Sequence, residues 1–180
     1  MKYIVTGGAG FIGSNIVKKL VSRGHDVIVI DNLNTGKEEN LELVKEKITF
    51  LKDDILNVDL LEKETQGIDG VFHQAALASV QDSFTKPDEY HDVNVNGTEN
   101  ILKLAKKNNF KVVYASSSSV YGSVGGKTVN EKYFGFEPYN QYDISKHTAD
   151  LYAQKSDVEY YALRFGTVNG YSPFLRSDVM

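Results

Sequence analysis

Two side chains of this 180-residue chain could perform proton-transfer chemistry together. Tyr142 and Lys146 form a Tyr-x-x-x-Lys pair, and their spacing places both side chains on one face of a helix. An ammonium group beside a phenol stabilises the phenolate, which can accept a proton from a substrate hydroxyl group. A chain with this many tyrosines and lysines contains about one such pair by chance, so the alternative is an exposed surface pair.

Three glycines, Gly7, Gly10 and Gly13, form a second chemical motif, because they follow a predicted strand and open a predicted helix. Glycines at such a turn let the backbone approach a pyrophosphate, and the helix N-terminus supplies amide donors. Asp31 ends the next predicted strand, where a carboxylate binds the ribose hydroxyl groups and repels a 2′-phosphate. The spacing predicts a dinucleotide site that prefers NAD to NADP. The alternative is a tight turn followed by a solvated aspartate.

The elements that must position these residues follow from the apolar pattern, in which short apolar runs alternate with segments of helical periodicity. Strands are predicted at residues 3–6, 27–30, 48–51, 70–73, 111–115 and 158–163, and helices at 11–22, 38–47, 57–66, 88–108 and 141–156. This alternation predicts an α/β fold with a doubly wound parallel sheet of the Rossmann type. The long polar segment 116–140 follows the fifth strand, at the edge where such sheets bind ligands.

Composition excludes several classes of site. The chain has no cysteine, which excludes disulfides, thiolate metal sites and a cysteine nucleophile. Its four scattered histidines form no HExxH pair, so no metal site is expected. A net charge of −4 without a basic block argues against nucleic acid as a partner. No apolar run reaches the roughly 18 residues that span a membrane and no signal peptide is evident, so a cytoplasmic protein is expected.

The order of several segments identifies a family resemblance. TGGAGFIG (6–13), DNLNTG (31–36), DDI (53–55), VFHQAA (71–76) and VNVNGTENIL (93–102) occur in this order. With them the chain resembles the extended short-chain dehydrogenase/reductase family, and within it the NAD-dependent epimerases and dehydratases, nearest to nucleotide-sugar epimerases of the UDP-glucose 4-epimerase type. The resemblance implies NAD as cofactor, a UDP-hexose as substrate, and 4-epimerisation by transient hydride transfer through a 4-keto sugar.

The resemblance also implies which residues contact the cofactor. Phe11 and Ile12 would lie along the pyrophosphate, and Asp54 and Ile55 would flank the adenine. The residues so implied are Gly7, Gly10, Phe11, Ile12, Gly13, Asp31, Asn32, Leu33, Asn34, Thr35, Gly36, Asp54, Ile55, Gln74, Ala75, Ala76, Asn94, Tyr142 and Lys146. Asn94 could instead cap backbone groups. Ala78 stands where the best-known epimerases have a lysine, so one polar cofactor contact is expected to be absent.

By the same resemblance, the catalytic hydroxyl residue of the family falls on Ser117, beside Tyr142 and Lys146. Relatives that dehydrate sugars carry Asp-Glu at the next two positions and decarboxylating relatives keep a Glu, whereas this chain has Ser118 and Ser119. Epimerisation is therefore favoured. Two alternatives remain: a sugar-nucleotide oxidoreductase that releases NADH, and a non-catalytic NAD-sensing module, against which the Tyr–Lys pair argues.

The resemblance further implies how the chain is organised. Residues 1–165 would be the NAD-binding domain, and residues 166–180 would begin a substrate-binding domain that is mostly absent. Thr167 replaces an asparagine that contacts the substrate phosphate in the family, which puts that contact in doubt. The chain alone is therefore expected to be inactive. A homodimer is expected, paired through helices 88–108 and 141–156.

Overall fold

A parallel sheet of six strands runs through the computed structural model, which describes residues 1–133 and 137–170. The strands are β1 Lys2–Thr6, β2 Asp26–Ile30, β3 Ile48–Leu51, β4 Gly70–His73, β5 Lys111–Ser117 and β6 Tyr160–Phe165. Their order is β3-β2-β1-β4-β5-β6. Strand order therefore reverses between β1 and β4, which is the arrangement of dinucleotide-binding Rossmann folds. The predicted doubly wound α/β sheet is confirmed.

Helical segments connect the strands. The α-helices are α1 Phe11–Ser22, α2 Val58–Glu64, α3 Val80–Ser83, α4 Pro87–His91, α5 Gly97–Asn108 and α6 Gln141–Lys155. The described residues also contain two 3₁₀ segments, Glu38–Lys47 and Ser118–Tyr121, and one π-helical turn, Asp92–Asn96. No helix in the described part of the chain is long and apolar enough to cross a membrane.

Several predicted elements differ from the structure. The helix predicted at 88–108 is α4 and α5 joined by the π turn, and the helix predicted at 38–47 is a 3₁₀ helix. The short helix α3 was not predicted. The sixth strand lies two residues later than 158–163, because Tyr160 pairs with Val112 and Phe165 pairs with Ser117. This register extends β5 to Ser117, so the polar segment after the strand is shorter than predicted.

Alternating residues of each central strand face two separate cores. On β1, Ile4 belongs to the core under α2, α5 and α6, whereas Val5 belongs to the core under α1 and the first 3₁₀ segment. On β2, Ile28 and Val29 divide between the two cores in the same way. Burial on both faces explains why these strands are continuously apolar. The arrangement leaves the carboxyl ends of the strands to form the functional edge.

Candidate dinucleotide and active site

The turn between β1 and α1 brings backbone unusually close to backbone. Gly7 has a φ of +64°, and a Cβ added there would lie 2.6 Å from the backbone N of Ala75. A Cβ on Gly13 would lie 2.2 Å from the carbonyl oxygen of Gly7. Gly10 caps α1 without a side-chain hydrogen bond, which leaves the amide groups of the first helical turn to a bound phosphate. Two of these glycines are therefore required by close packing.

Asp31 holds the next loop against this turn. Its carboxylate accepts hydrogen bonds from the N–H groups of Ala9 at 2.9 Å and Leu33 at 2.8 Å. Burial raises the pKa of Asp31, while these two amide groups act in the opposite direction. A Cβ on Gly36 would come within 2.9 Å of both carboxylate oxygens, so this loop closes tightly around the acid. Asn40, which was not predicted, donates to the carbonyl oxygen of Ala9 at 2.8 Å.

The predicted adenine residues follow β3. The carboxylate of Asp54 accepts from Nδ2 of Asn32 at 2.7 Å and from the N–H of Leu56 at 2.9 Å. Ile55 is buried, and its Cδ1 lies so close to Gly97 on α5 that an added Cβ would be 2.4 Å away. The side chain of Ile55 therefore packs against α5. Of the other residues predicted around the adenosine ribose, Asn34 and Thr35 are exposed.

Buried polar atoms without partners are concentrated at the carboxyl ends of β4 and β5. In the described residues, the buried side-chain atoms that lack a hydrogen-bond partner belong to Gln74, Ser116 and Ser119. β4 and β5 are neighbours, so these groups share one edge of the sheet. Buried polar groups are normally paired, and a ligand is one ordinary source of partners. The orphaned amide of Gln74 and the glycine cradle together fit a dinucleotide at this edge.

Two of the predicted catalytic residues, Ser117 and Lys146, lie at the end of β5, and the third, Tyr142, lies one helical turn before Lys146. Asn140 caps α6 by accepting from the N–H of Asp143 at 2.8 Å, which places Tyr142 in the first turn. One turn later, Nζ of Lys146 donates to the carbonyl oxygen of Ala115 at 3.1 Å. Ser117 ends the same strand, and its Oγ accepts from the N–H of Ser119 at 3.1 Å. Lys146 is therefore anchored to the strand that carries Ser117.

Burial lowers the pKa of Lys146 to about 8, and the negative charge of Asp150 opposes this shift. Asp150 is itself 2% exposed and accepts from the hydroxyl group of Tyr114 at 2.7 Å and from Nε of Arg164 at 3.2 Å. The guanidinium group of Arg164 also lies 4.9 Å from the ring centroid of Tyr121. This cluster was not predicted, since it joins β5, β6 and α6 through residues that are far apart in sequence.

Asn94 lies in the π turn and contacts backbone rather than only lining the cleft. Its Oδ1 accepts from the N–H of Leu77 at 2.8 Å, and its Nδ2 donates to the carbonyl oxygen of Leu77 at 3.0 Å. Nδ2 also lies 2.9 Å from Oγ of Ser145 on α6. The structure shows the backbone contacts expected of one role of Asn94 and adds a link to the helix that carries Tyr142, while its contact with the cofactor stays a prediction.

The remaining predicted residues surround the same edge. Ala75 lies against the glycine turn, and Ala76 follows it in the loop after β4. Gly170 approaches Phe11, whose Cζ would be 3.3 Å from an added Cβ, so the segment after β6 passes over the start of α1. Two parts of the chain lie outside the described residues. They are residues 134–136 of the long polar segment and residues 171–180, which belong to the segment 166–180 predicted to begin a substrate domain.

Comparison with known proteins agrees with this geometry. The model of the NAD dependent epimerase/dehydratase family matches residues 3–179. UDP-glucose 4-epimerase of Lactobacillus helveticus is 37% identical over 179 residues, covering 96% of this chain and 53% of that protein. The solved UDP-N-acetylglucosamine 4-epimerase of Methanobrevibacter ruminantium M1 is 39% identical with a TM-score of 0.85. The match covers 91% of this chain and 54% of that epimerase chain. The dTDP-glucose 4,6-dehydratase DesIV of Streptomyces venezuelae, solved with NAD bound, is 32% identical with a TM-score of 0.85. That match covers 91% of this chain and 55% of the dehydratase chain.

A Rossmann sheet with this strand order and this glycine turn defines a dinucleotide-binding protein. More specifically, the chain belongs to the NAD dependent epimerase/dehydratase family, whose cofactor is NAD. The predicted family and cofactor are confirmed. The chain spans about half the length of the relatives described above. Those relatives include epimerases and a dehydratase, and a UDP-glucuronic acid decarboxylase of Arabidopsis thaliana is also similar. Membership in this family therefore indicates a class of NAD-dependent enzymes, and it does not identify the reaction.

We predict that Gly13→Ala weakens NAD binding at least about tenfold, because the added carbon meets the carbonyl oxygen of Gly7 and displaces the turn. Gly166→Ala is the matched control, since an added Cβ there meets nothing within 4 Å. Calorimetric titration with NAD measures both variants. Unchanged affinity in Gly13→Ala would show that this turn does not hold the cofactor.

Proposed function

We propose that the protein is a nucleotide-sugar 4-epimerase of the UDP-glucose/UDP-galactose type. The observation that carries the proposal is the anchoring of Lys146 beside Ser117, with Tyr142 one helical turn away and no carboxylate at the two positions after Ser117. Two of the relatives described above are 4-epimerases of UDP-sugars. The substrate would be a UDP-hexose.

Each residue has a distinct task in this reaction. Tyr142 removes the proton from the sugar 4-hydroxyl group and later returns it, and the ammonium group of Lys146 stabilises the phenolate between these steps. Ser117 hydrogen-bonds the reacting oxygen and orients it toward Tyr142. When bound, NAD supplies a reversible acceptor for the hydride of the same carbon. Rotation of the 4-keto sugar between the two transfers would give the other epimer.

The serines after β5 separate this reaction from those of similar proteins. Elimination of water from a keto sugar requires an acid and a base near the sugar. Ser118 and Ser119 occupy the two positions after Ser117, and neither hydroxyl group exchanges protons readily at neutral pH. The alternative function, a sugar-nucleotide oxidoreductase, differs from an epimerase because it releases NADH. Incubation of the longest expressed form of the protein with NAD and UDP-glucose or UDP-galactose distinguishes the two, since an epimerase forms the other sugar without accumulating NADH.

We further propose that residues 1–165 hold the cofactor and that grip on the substrate needs more chain than the segment after β6. Tyr161 and Leu163, on the edge strand β6, are 56% and 42% exposed, which is consistent with a surface that a further part of such an enzyme covers. We expect the 180-residue chain to bind NAD without turning over sugar nucleotides, because turnover requires binding energy that positions the sugar and the chain spans about half the length of its relatives. Enzyme-like turnover by this chain would contradict this division.

A cytoplasmic location stays a prediction.

Exchange of Tyr142 for Phe tests the proton-transfer role. In the longest expressed form of the protein that epimerises a UDP-hexose, we predict that Tyr142→Phe lowers turnover about a hundredfold, the usual loss for an acid–base group. NAD affinity should stay unchanged, as measured by calorimetry. Tyr152→Phe is the control, because Tyr152 lies on the same helix and is 41% exposed. Turnover of Tyr142→Phe near the original rate would remove Tyr142 from the mechanism.

The charge of Asp31 should determine cofactor choice. We predict that Asp31→Asn narrows the preference for NAD over NADP about tenfold, because the amide no longer repels a 2′-phosphate. The amide oxygen can still accept from one of the two neighbouring N–H groups, those of Ala9 and Leu33. Asp59→Asn, on the exposed surface of α2, controls for the loss of one negative charge. Paired titrations with NAD and NADP give the ratio. A preference for NADP in the unmodified chain would refute the ribose assignment.

We also propose a homodimer through the helical segments 88–108 and 141–156. Leu151 and Tyr152 on α6 are 37% and 41% exposed, and an isologous contact between two copies would cover them. Light scattering is predicted to give twice the mass of one chain, and Leu151→Asp is predicted to shift it toward one chain. A mass of one chain at high micromolar concentration would contradict the dimer.

A further inference from the structure

His73 at the end of β4 has no task in the proposed reaction, although both of its ring nitrogens are engaged. The side chain is 3% exposed. Nδ1 lies 2.7 Å from Oγ1 of Thr6 on β1, and Nε2 lies 3.0 Å from Oγ1 of Thr98 on α5. The ring therefore joins the strand that precedes the glycine turn to the helix that follows the π turn.

The hydrogen positions in this group follow from its partners. The hydroxyl group of Thr98 donates its single hydrogen to the carbonyl oxygen of Asn94 at 2.7 Å, so toward His73 it can only accept. Nε2 of His73 must then be the donor, and in a neutral ring Nδ1 accepts from the hydroxyl group of Thr6. Oγ1 of Thr6 accepts from the N–H of Ala75 at 3.3 Å. One arrangement of hydrogens satisfies every group.

The chain of hydrogen bonds continues into the catalytic helix. The side-chain amide of Asn94 donates to Oγ of Ser145 at 2.9 Å, and that hydroxyl group donates to the carbonyl oxygen of Tyr142 at 2.8 Å. A connected path therefore runs from Ala75, in the loop that meets the glycine turn, to the first turn of α6; it enters Asn94 at the backbone carbonyl oxygen and leaves from the side-chain amide. His73 is its central member, since it bridges the sheet and the helix.

We propose that His73 is a positioning residue which, as a neutral imidazole with its hydrogen on Nε2, aligns the loop after β4 with the catalytic turn of α6. The proposal rests on the proposed function only where it names Tyr142 as catalytic. The alignment itself is a property of the hydrogen-bond chain and acts on NAD binding whichever sugar is the substrate.

The surroundings of the ring keep it neutral. Burial lowers the pKa of His73 to about 3, and the positive charge of Lys146 on α6 acts in the same direction. The partners from β1 and α5, Thr6 and Thr98, carry no charge. A protonated ring would present two donors, so the hydroxyl group of Thr6 would have to turn away from Nδ1 and the path would break.

The sign of the pH effect follows from linkage. Because the pKa of His73 is lower in the folded chain than its ordinary value of 6.5, the unfolded chain takes up the proton first as the pH falls. The contribution of the neutral ring to stability is fully present above about pH 6.5 and is lost as the pH falls toward about 3.

Nitrogen NMR of the unmodified, ¹⁵N-labelled chain tests the state of the ring directly, with the other three histidines as internal references. We expect His73 to stay neutral, with its hydrogen on Nε2, as the pH is lowered from 8 to 5. A hydrogen on Nδ1, or protonation of His73 within this range, would overturn the proposal.

Two matched threonine variants test the path. Thr98 and Thr65 are both buried, and each hydroxyl group donates to the carbonyl oxygen four residues earlier and has one side-chain partner, His73 or Asn108. We expect Thr98→Val and Thr65→Val to lower thermal stability similarly. Only Thr98→Val should weaken NAD binding, about threefold to tenfold. Equal effects of both variants on NAD affinity, or no effect of Thr98→Val, would refute the alignment.

A double variant distinguishes one connected path from separate contributions. Thr98→Val and Ser145→Ala each remove a different hydrogen bond of the same path. The double variant should therefore bind NAD with about the affinity of whichever single variant binds NAD more weakly. Losses that multiply would overturn the proposal. These measurements require NAD alone, so a failure of the longest expressed form of the protein to epimerise sugar nucleotides would refute the proposed function and leave this test intact.

Discussion

The close approach of the glycine turn to the loop after β4 is the constraint on which the rest of the site depends. A carbon added at Gly7 would lie 2.6 Å from the backbone of Ala75, so the two loops meet without any side chain between them. Strand order reverses at this point, and the crevice of a Rossmann fold opens there. The same contact brings Gln74, at the end of β4, beside the turn that would hold the pyrophosphate.

Polar groups around this crevice divide into those that the protein satisfies and those that it leaves to a ligand. Lys146 is buried, and the carbonyl oxygen of Ala115 and the charge of Asp150 offset part of the cost of burying its charge. Asp150 is held in turn by Tyr114 and Arg164. The orphaned atoms of Gln74, Ser116 and Ser119 lie instead at the strand ends, among the described residues. Preorganised donors of this kind suit a site that stabilises charge during reaction.

The division of tasks along the chain is consistent with a family that runs several reactions on one scaffold. The glycine turn, Asp31 and the Tyr142–Lys146 pair all precede the end of β6, and this half is similar in an epimerase and a dehydratase. Differences in reaction must then come from a few side chains near the sugar, such as Ser118 and Ser119, and from the part of the relatives that lies outside the matched half. Fold and cofactor are therefore shared while the substrate varies.

The sequence by itself determined the features that depend on near neighbours. The strand–helix alternation, the glycine turn, the position of Asp31 after β2 and the spacing of Tyr142 and Lys146 could all be predicted, because periodicity and local turn chemistry encode them. The predicted bounds of a strand or helix were wrong where they depend on residues that are distant in sequence. The start of β6 depends on its register with β5, and the helix type at 38–47 has no strong local signal.

Only the tertiary structure decided the contacts that assemble the site. Asn94 meets Ser145 51 residues later, and His73 meets Thr6 67 residues earlier. The sequence pattern showed His73 as one of four scattered histidines and as part of the segment VFHQAA, without a role, and it left Asn94 between two roles. Side-chain hydrogen bonds between distant residues have no period along the chain. They exist because the parallel sheet brings the carboxyl ends of β1, β4 and β5 to one edge, and the helices after β4 and β5 then pack their polar groups against it.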